Sequence, residues 1–199
     1  MNRRSGLLLA LAAALAGAAA PAGAQATPPA KHDTPADVHF MAGMIGHHAQ
    51  AIAMAKWAPT HGASPAVQRL CERIVVGQTD EIAMSQRWLR EHGEYVPPAD
   101  PRGHIMPGMD QPMLMPGMLT PRQMARLDSA RGPEFDRLFL TLMIQHHQGA
   151  ITMVQDLLAV PGAAQDGPVF RFANDVNVDQ TTEINRMQLM LDDSKRSSQ

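Results

Sequence analysis

Apolar positions along this chain fall into four long stretches of helical period, separated by breaks rich in proline and glycine. Thr34-Pro35, Ser64-Pro65, Thr120-Pro121, Gly132-Pro133 and Gly167-Pro168 each set a capping residue before a proline at the first helical position, so five helix starts are marked. Thr120 with Gln123 also fits a capping box, in which hydroxyl and amide satisfy each other's nearby backbone donors. The spacing predicts long helices at about 35–58, 65–92, 133–160 and 168–193, and a short one at about 121–130. The breaks at 59–63 and 161–167 are short, so each long pair should close as an antiparallel hairpin. Between the hairpins, residues 93–119 show neither helical nor strand period, and Pro107, Pro112 and Pro116 prevent a continuous helix there.

At about 100° per residue, Phe40, Met44, His47, Ala51 and Met54 share a stripe roughly 80° wide, with Asp37 and His48 at its edge. Phe139, Met143, His146, Ala150 and Met153 repeat it, and both stripes should face a core. In the second helix, Val67, Leu70, Cys71, Ile74, Ser85 and Trp88 set one face, which Gln78 and Glu81 interrupt. In the fourth long stretch, Val169, Phe172, Val176, Met187 and Met190 bracket Gln180 and Glu183 in the same way. A carboxylate on a core face costs several kcal/mol unless something pairs with it. His47 and His146 are the expected partners of Glu81 and Glu183; the bland alternative is a buried Glu-His hydrogen bond with no metal.

The stripes match because the chain is duplicated. Met-Ile-x-His-His-x-x-Ala-Ile-x-Met occurs at Met44 to Met54 and again at Met143 to Met153, with His47 and His146 99 residues apart. Gln78-Thr79-Asp80-Glu81-Ile82 likewise recurs around Gln180 and Glu183 at an offset of 102. Two related hairpins predict an all-α four-helix bundle with a pseudo-twofold axis, a Met-rich crossover and one short extra helix. The domain should run over 27–199, with repeat 1 at about 35–92, the crossover at 93–119 and repeat 2 at about 133–193.

Residues 1–24 read as an export signal: Asn2-Arg3-Arg4 is basic, Leu7 to Ala20 is apolar, and small residues allow a cut after residue 24 or 26. The expected location is periplasmic or secreted. Removing that segment leaves 15 basic against 19 acidic residues, a formal charge of −4 that recruits neither nucleic acid nor anionic lipid. No later stretch is long and apolar enough to span a bilayer. Cys71 is the only cysteine, aligned with Ala173 and read as core packing. Methionine, in contrast, is abundant at 15. Thioether with imidazole suits Cu(I), and Ag(I) by the same softness, better than hard ions. Iron fits less well: the chain lacks the Glu-x-x-His pairs of bundle-core di-iron sites, and each repeat offers one core Glu with Asp37 or Asp136 at the margin. In the crossover, Met106-Pro-Gly-Met109 recurs as Met115-Pro-Gly-Met118 beside His104 and Met113. That segment is either a proline-stiffened linker or an exposed, mobile capture segment for Cu(I).

At Asp37 to Leu89 and Gly117 to Leu191 the chain resembles the domain of unknown function 305 family, through both His-His motifs, Gly117-Met118, Gln123-Met124-Ala125 and Phe135-Asp136-Arg137. The resemblance implies a ferritin-like bundle and, for some members, periplasmic copper or silver binding through Met and His. The matching ligands are then Met44, His47, His48 and Met54, and Met143, His146, His147 and Met153, with Asp37, Glu81, Asp136 and Glu183 orienting them or serving as alternative ligands. Leu140 stands where the first repeat has Met41, so the two sites need not bind alike. Three functions follow as expectations: a binding protein that sequesters copper or delivers it to another periplasmic copper protein, a ferritin-like dinuclear metal oxidase or peroxidase using Glu81 and Glu183, and a metal-free helical interaction domain.

Overall fold

The computed structural model describes residues 33–197; the expected export signal lies outside them. Five helices follow in order: α1 Pro35–Ala55, α2 Pro65–Glu91, α3 Pro121–Ser129, α4 Gly132–Ala159 and α5 Gly167–Ser197. The fold class is all-α, and the described residues hold no strand beyond a single bridge between His104 and Met113. Prolines open the helices for the reason the sequence suggests, since the missing N–H costs nothing in a first turn. At α1 the Thr34 hydroxyl accepts from Asp37 N while the Asp37 carboxylate accepts from Thr34 N at 2.7 Å. Thr120 and Gln123 form the same reciprocal box at α3. The glycine caps are corrected: Gly132 and Gly167 are the first helical residues, α4 has no side-chain cap, and the Asp166 carboxylate caps α5 by accepting from Val169 N. Helix α1 stops at Ala55, short of 58, and a run of turns carries the chain through Gly62, whose φ of +70° suits glycine.

Helices α1 and α2 pair, α4 and α5 pair, and the two hairpins join where α1 meets α4. The join is antiparallel and pinned at both ends by the duplicated aspartates. Asp37, at the start of α1, accepts from Ala164 N beyond the end of α4 at 2.7 Å. Asp136, early in α4, accepts from Ser64 N beyond the end of α1 at 3.1 Å. Each repeat thus anchors the connection of the other. Both carboxylates are engaged in this way at the helix ends.

Crossover 93–119 lies over the α1–α4 seam, where the two helices offer glycine. A β-carbon on Gly149 would lie 2.0 Å from the Pro116 carbonyl oxygen, and one on Gly46 would lie 2.8 Å from that of Gly103. Gln50 fastens the segment from α1: its Nε2 donates to Pro101 O and Leu119 O, and its Oε1 accepts from Leu119 N at 2.6 Å. With α2 and α4 beside it and the crossover above, α1 is buried at every residue from Phe40 to Ala51. That continuous burial, broader than an 80° stripe, sets the geometry of the interior.

Candidate metal centre

Four imidazoles meet at the middle of the α1–α4 seam, and none is exposed. The rings of His47 and His146 approach with centroids 3.9 Å apart, and His48 and His147 flank them at 6.0 and 6.2 Å. Because consecutive helical residues differ by 100°, His47 and His48 can both point inward only on a helix buried round most of its circumference. This corrects the assignment of the carboxylates. Glu183 Oε2 accepts from His147 Nε2 at 2.7 Å, and Glu81 Oε2 lies 3.1 Å from His48 Nε2. The glutamates therefore engage the second histidine of each motif, since α2 and α5 flank the seam on the side to which the extra 100° turns that residue.

His47 finds a different partner, one that sequence reasoning missed: its Nε2 donates to the carbonyl of Pro116, at 3.0 Å, inside the second Met-Pro-Gly-Met turn. Hydrogen bonds at Nε2 of His47 and His147 leave Nδ1 as their basic nitrogen, and that atom has no hydrogen-bond partner in either; His48 meets Glu81 as an ion-pair contact, with neither ring nitrogen in hydrogen-bond geometry. Neither ring nitrogen of His146 has a hydrogen-bond partner. An imidazole held through one nitrogen by a carboxylate or carbonyl, with the other free, is the usual setting of a metal ligand. Burial also keeps the two central rings, His47 and His146, unprotonated. It holds His47 down to about 3, with the neighbouring His48 adding to the effect, and holds His146 well below the ordinary range, with His47 the next contributor.

The thioethers sort across the repeats, because α1 and α4 run antiparallel. Met44 and Met153 belong to one buried apolar cluster, and Met54 and Met143 to the other. The sets expected from the sequence, each confined to one repeat, are thus interleaved. On the α2–α5 side a cleft of about 310 Å³ reaches the carboxylates, lined by Gln78, Glu81, Asp179, Gln180 and Glu183 among others. Glu81 and Glu183 keep 15% and 21% side-chain exposure there. Gln78 and Gln180 are buried with their carbonyl oxygens unpartnered. Among the described residues, no three His, Cys, Asp or Glu side chains converge on one point, so an ion at the imidazoles would need sulfur as well.

The crossover is less exposed than expected of it. Met115, Met118 and His104 are buried, Met106 and Met109 half-buried, and Met113 exposed. The segment buries its thioethers without amphipathic period because its two turns are self-sufficient. Met109 Sδ accepts from Met106 N and Met118 Sδ accepts from Met115 N, each at 3.3 Å, with Gly108 and Gly117 at positive φ. No helix of the described residues is long and apolar enough to cross a membrane. Cys71 is buried in the cluster of Met54 and Met143, and burial pushes its thiol up to about 12.

Solved structures share this architecture. A DUF305 protein of Streptomyces coelicolor is 26% identical over 80% of this chain and 94% of its own, with a TM-score of 0.69. A DUF305 fragment from Deinococcus radiodurans is 28% identical over 80% and 97%, with a TM-score of 0.66. CopM in its Cu(I)-bound and Ag-bound forms is 25% identical over 79% of this chain and 96% of its own, with TM-scores of 0.61 and 0.60. No curated protein matches the chain. The family model described as domain of unknown function DUF305 matches residues 37–191, most of the described bundle, and the chain belongs to that family.

Proposed function

We propose that the protein binds Cu(I), and Ag(I) by the same chemistry, outside the cytoplasm, and sequesters the ion or hands it to another periplasmic copper protein. The observation that carries this reading is the buried imidazole cluster, with four unpartnered Nδ1 atoms on the two helices that also carry the buried Met44, Met54, Met143 and Met153. Buried polar atoms without partners are costly and call for an explanation, and soft N and S donors together suit a d¹⁰ monovalent ion. The ligands proposed are His47, His48, His146 and His147 with Met44, Met54, Met143 and Met153. Glu81 and Glu183 orient imidazoles and keep a route to the α2–α5 cleft. The binding of Cu(I) and Ag by CopM supports the reading, and the apolar run and basic start of residues 1–24 support export. A dinuclear oxidase would need carboxylates bridging two ions, whereas each glutamate faces its own imidazole.

A competition titration against a Cu(I) chelator tests the proposal. Wild type should take Cu(I) from the chelator, and His47→Ala with His146→Ala should take far less. Glu183→Gln should retain copper with about 10-fold to 100-fold weaker affinity, the usual effect of losing the partner that orients a ligand. Equal transfer by wild type and the double variant would refute the assignment.

A further inference from the structure

His104 is unusual among the crossover residues. It is 1% exposed, yet neither ring nitrogen has a hydrogen-bond partner, and the nearby Ala42 backbone lies outside hydrogen-bond geometry. Its ring meets that of His39 edge-on, with centroids 5.7 Å apart. His39 lies on α1 and is exposed. It lines a cavity of about 200 Å³ whose walls include Met115, Pro116, Met153 and Asp156. The Met115 and Met153 methyls lie 2.7 and 3.2 Å from the position a β-carbon on Gly43 would take, and the Met115 sulfur lies 3.6 Å from it. Gly43 is thus the gap into which both thioethers fold, one turn along α1 from His39.

We infer that this pocket is a second soft-ion site, a port on the crossover face in which His39, Met115 and Met153 take up a monovalent soft cation before it passes, through Met153, to the imidazole cluster, with His104 packed edge-on behind His39. This rests on the proposed function and extends it to His39 and Met115, outside the His-His motifs, with Met153 shared between the two sites. His39 offers an exposed first donor, and Asp156 sets a negative charge at the mouth. Behind His39, His104 holds buried imidazole nitrogen that the fold leaves unpaired. Met115 and Met153 belong to the same buried cluster as Met44, so the pocket floor is continuous with the Met44 thioether. Pro116 lines the pocket and accepts from His47, which ties the port to the cluster through one residue.

The test is Ag(I) titration of the purified protein carrying methyl-¹³C methionine, in chloride-free buffer, with each methyl resonance assigned by single Met→Leu variants. The Met115 resonance, which belongs to the port alone, should shift with Ag(I) and should still shift after His47→Ala plus His146→Ala. In a His39→Leu, Met115→Leu variant, which keeps apolar bulk at the sulfur position, Ag(I) stoichiometry should fall by one per chain while Met44 and Met143 still respond. Shifts at Met44 and Met143 with Met115 unmoved would overturn the port and leave the central site standing. Silence at every methyl would overturn both. Since the wild-type spectrum alone decides the first comparison, misfolding of a variant cannot rescue the inference.

Discussion

Acidification from pH 7 to pH 5 should destabilise the metal-free protein steeply, and the two central imidazoles set the size of the effect. His47 has a folded pKa of about 3 against an ordinary value of 6.5, and His146 is lowered in the same direction. A histidine lowered on folding stays neutral in the native state but takes up a proton in the unfolded chain. Stability is therefore lost as pH falls through the unfolded value of 6.5, and the loss continues until the folded group also titrates. At pH 5 the proton stabilises an unfolded histidine by about 2 kcal/mol, so His47 alone should remove about that much, and His146 adds to the loss in the same direction. That is a sizeable share of the 5–15 kcal/mol typical of a domain. Asp179 works in the opposite sense. Burial and Glu81 raise its pKa, so its contribution grows as pH falls into the carboxylate range and offsets part of the loss at the acid end. Urea unfolding at half-unit pH steps, analysed by linear extrapolation, gives the slope directly. Replacing His47 and His146 with Leu should flatten the curve between pH 6.5 and 5 whatever it does to the absolute value. An equally steep slope in that variant, or a flat one in wild type, would refute the reasoning.

Two further outcomes concern packing. Gly149→Ala would set a methyl 2.0 Å from the Pro116 carbonyl oxygen, so it should cost about 1–3 kcal/mol or more in chemical denaturation and open the crossover to limited proteolysis near Arg102. Gly77→Ala, in α2 with nothing within 4 Å of the new carbon, should instead stabilise by up to about 1 kcal/mol. Cys71, buried with its thiol pushed up to about 12, should resist iodoacetamide at pH 8 in the native state and react once unfolded, as followed by intact mass.

The duplication, the helix starts and the inward Met-His stripes were legible in the sequence because capping, proline chemistry and helical period are local. Which imidazole each glutamate meets was not, since that depends on where α2 and α5 sit around the seam. The absence of any charge between His39 and Lys56 carried a hint that α1 is buried all round, which admits His48 to the interior alongside His47. The crossover's docking was hidden by its lack of period. Its footprint is nevertheless written where the repeats disagree. Gly46 aligns with Gln145, and Gln50 with Gly149. The glycines admit the crossover backbone, while Gln50 and Gln145 fasten it, Gln145 by donating to Gly117 O at 3.2 Å. Pro116 as the partner of His47 left no local signal, because a carbonyl acceptor is independent of side-chain type.

The central claim is that imidazole and thioether converge on one soft ion inside the bundle. X-ray absorption at the copper edge, on protein loaded with a single equivalent of Cu(I), reads the donor atoms directly. It should show nitrogen with the multiple scattering of imidazole together with sulfur, and the imidazole contribution should collapse in the His47→Ala, His146→Ala variant. Oxygen and nitrogen donors without sulfur, or a spectrum unchanged by that double substitution, would contradict it.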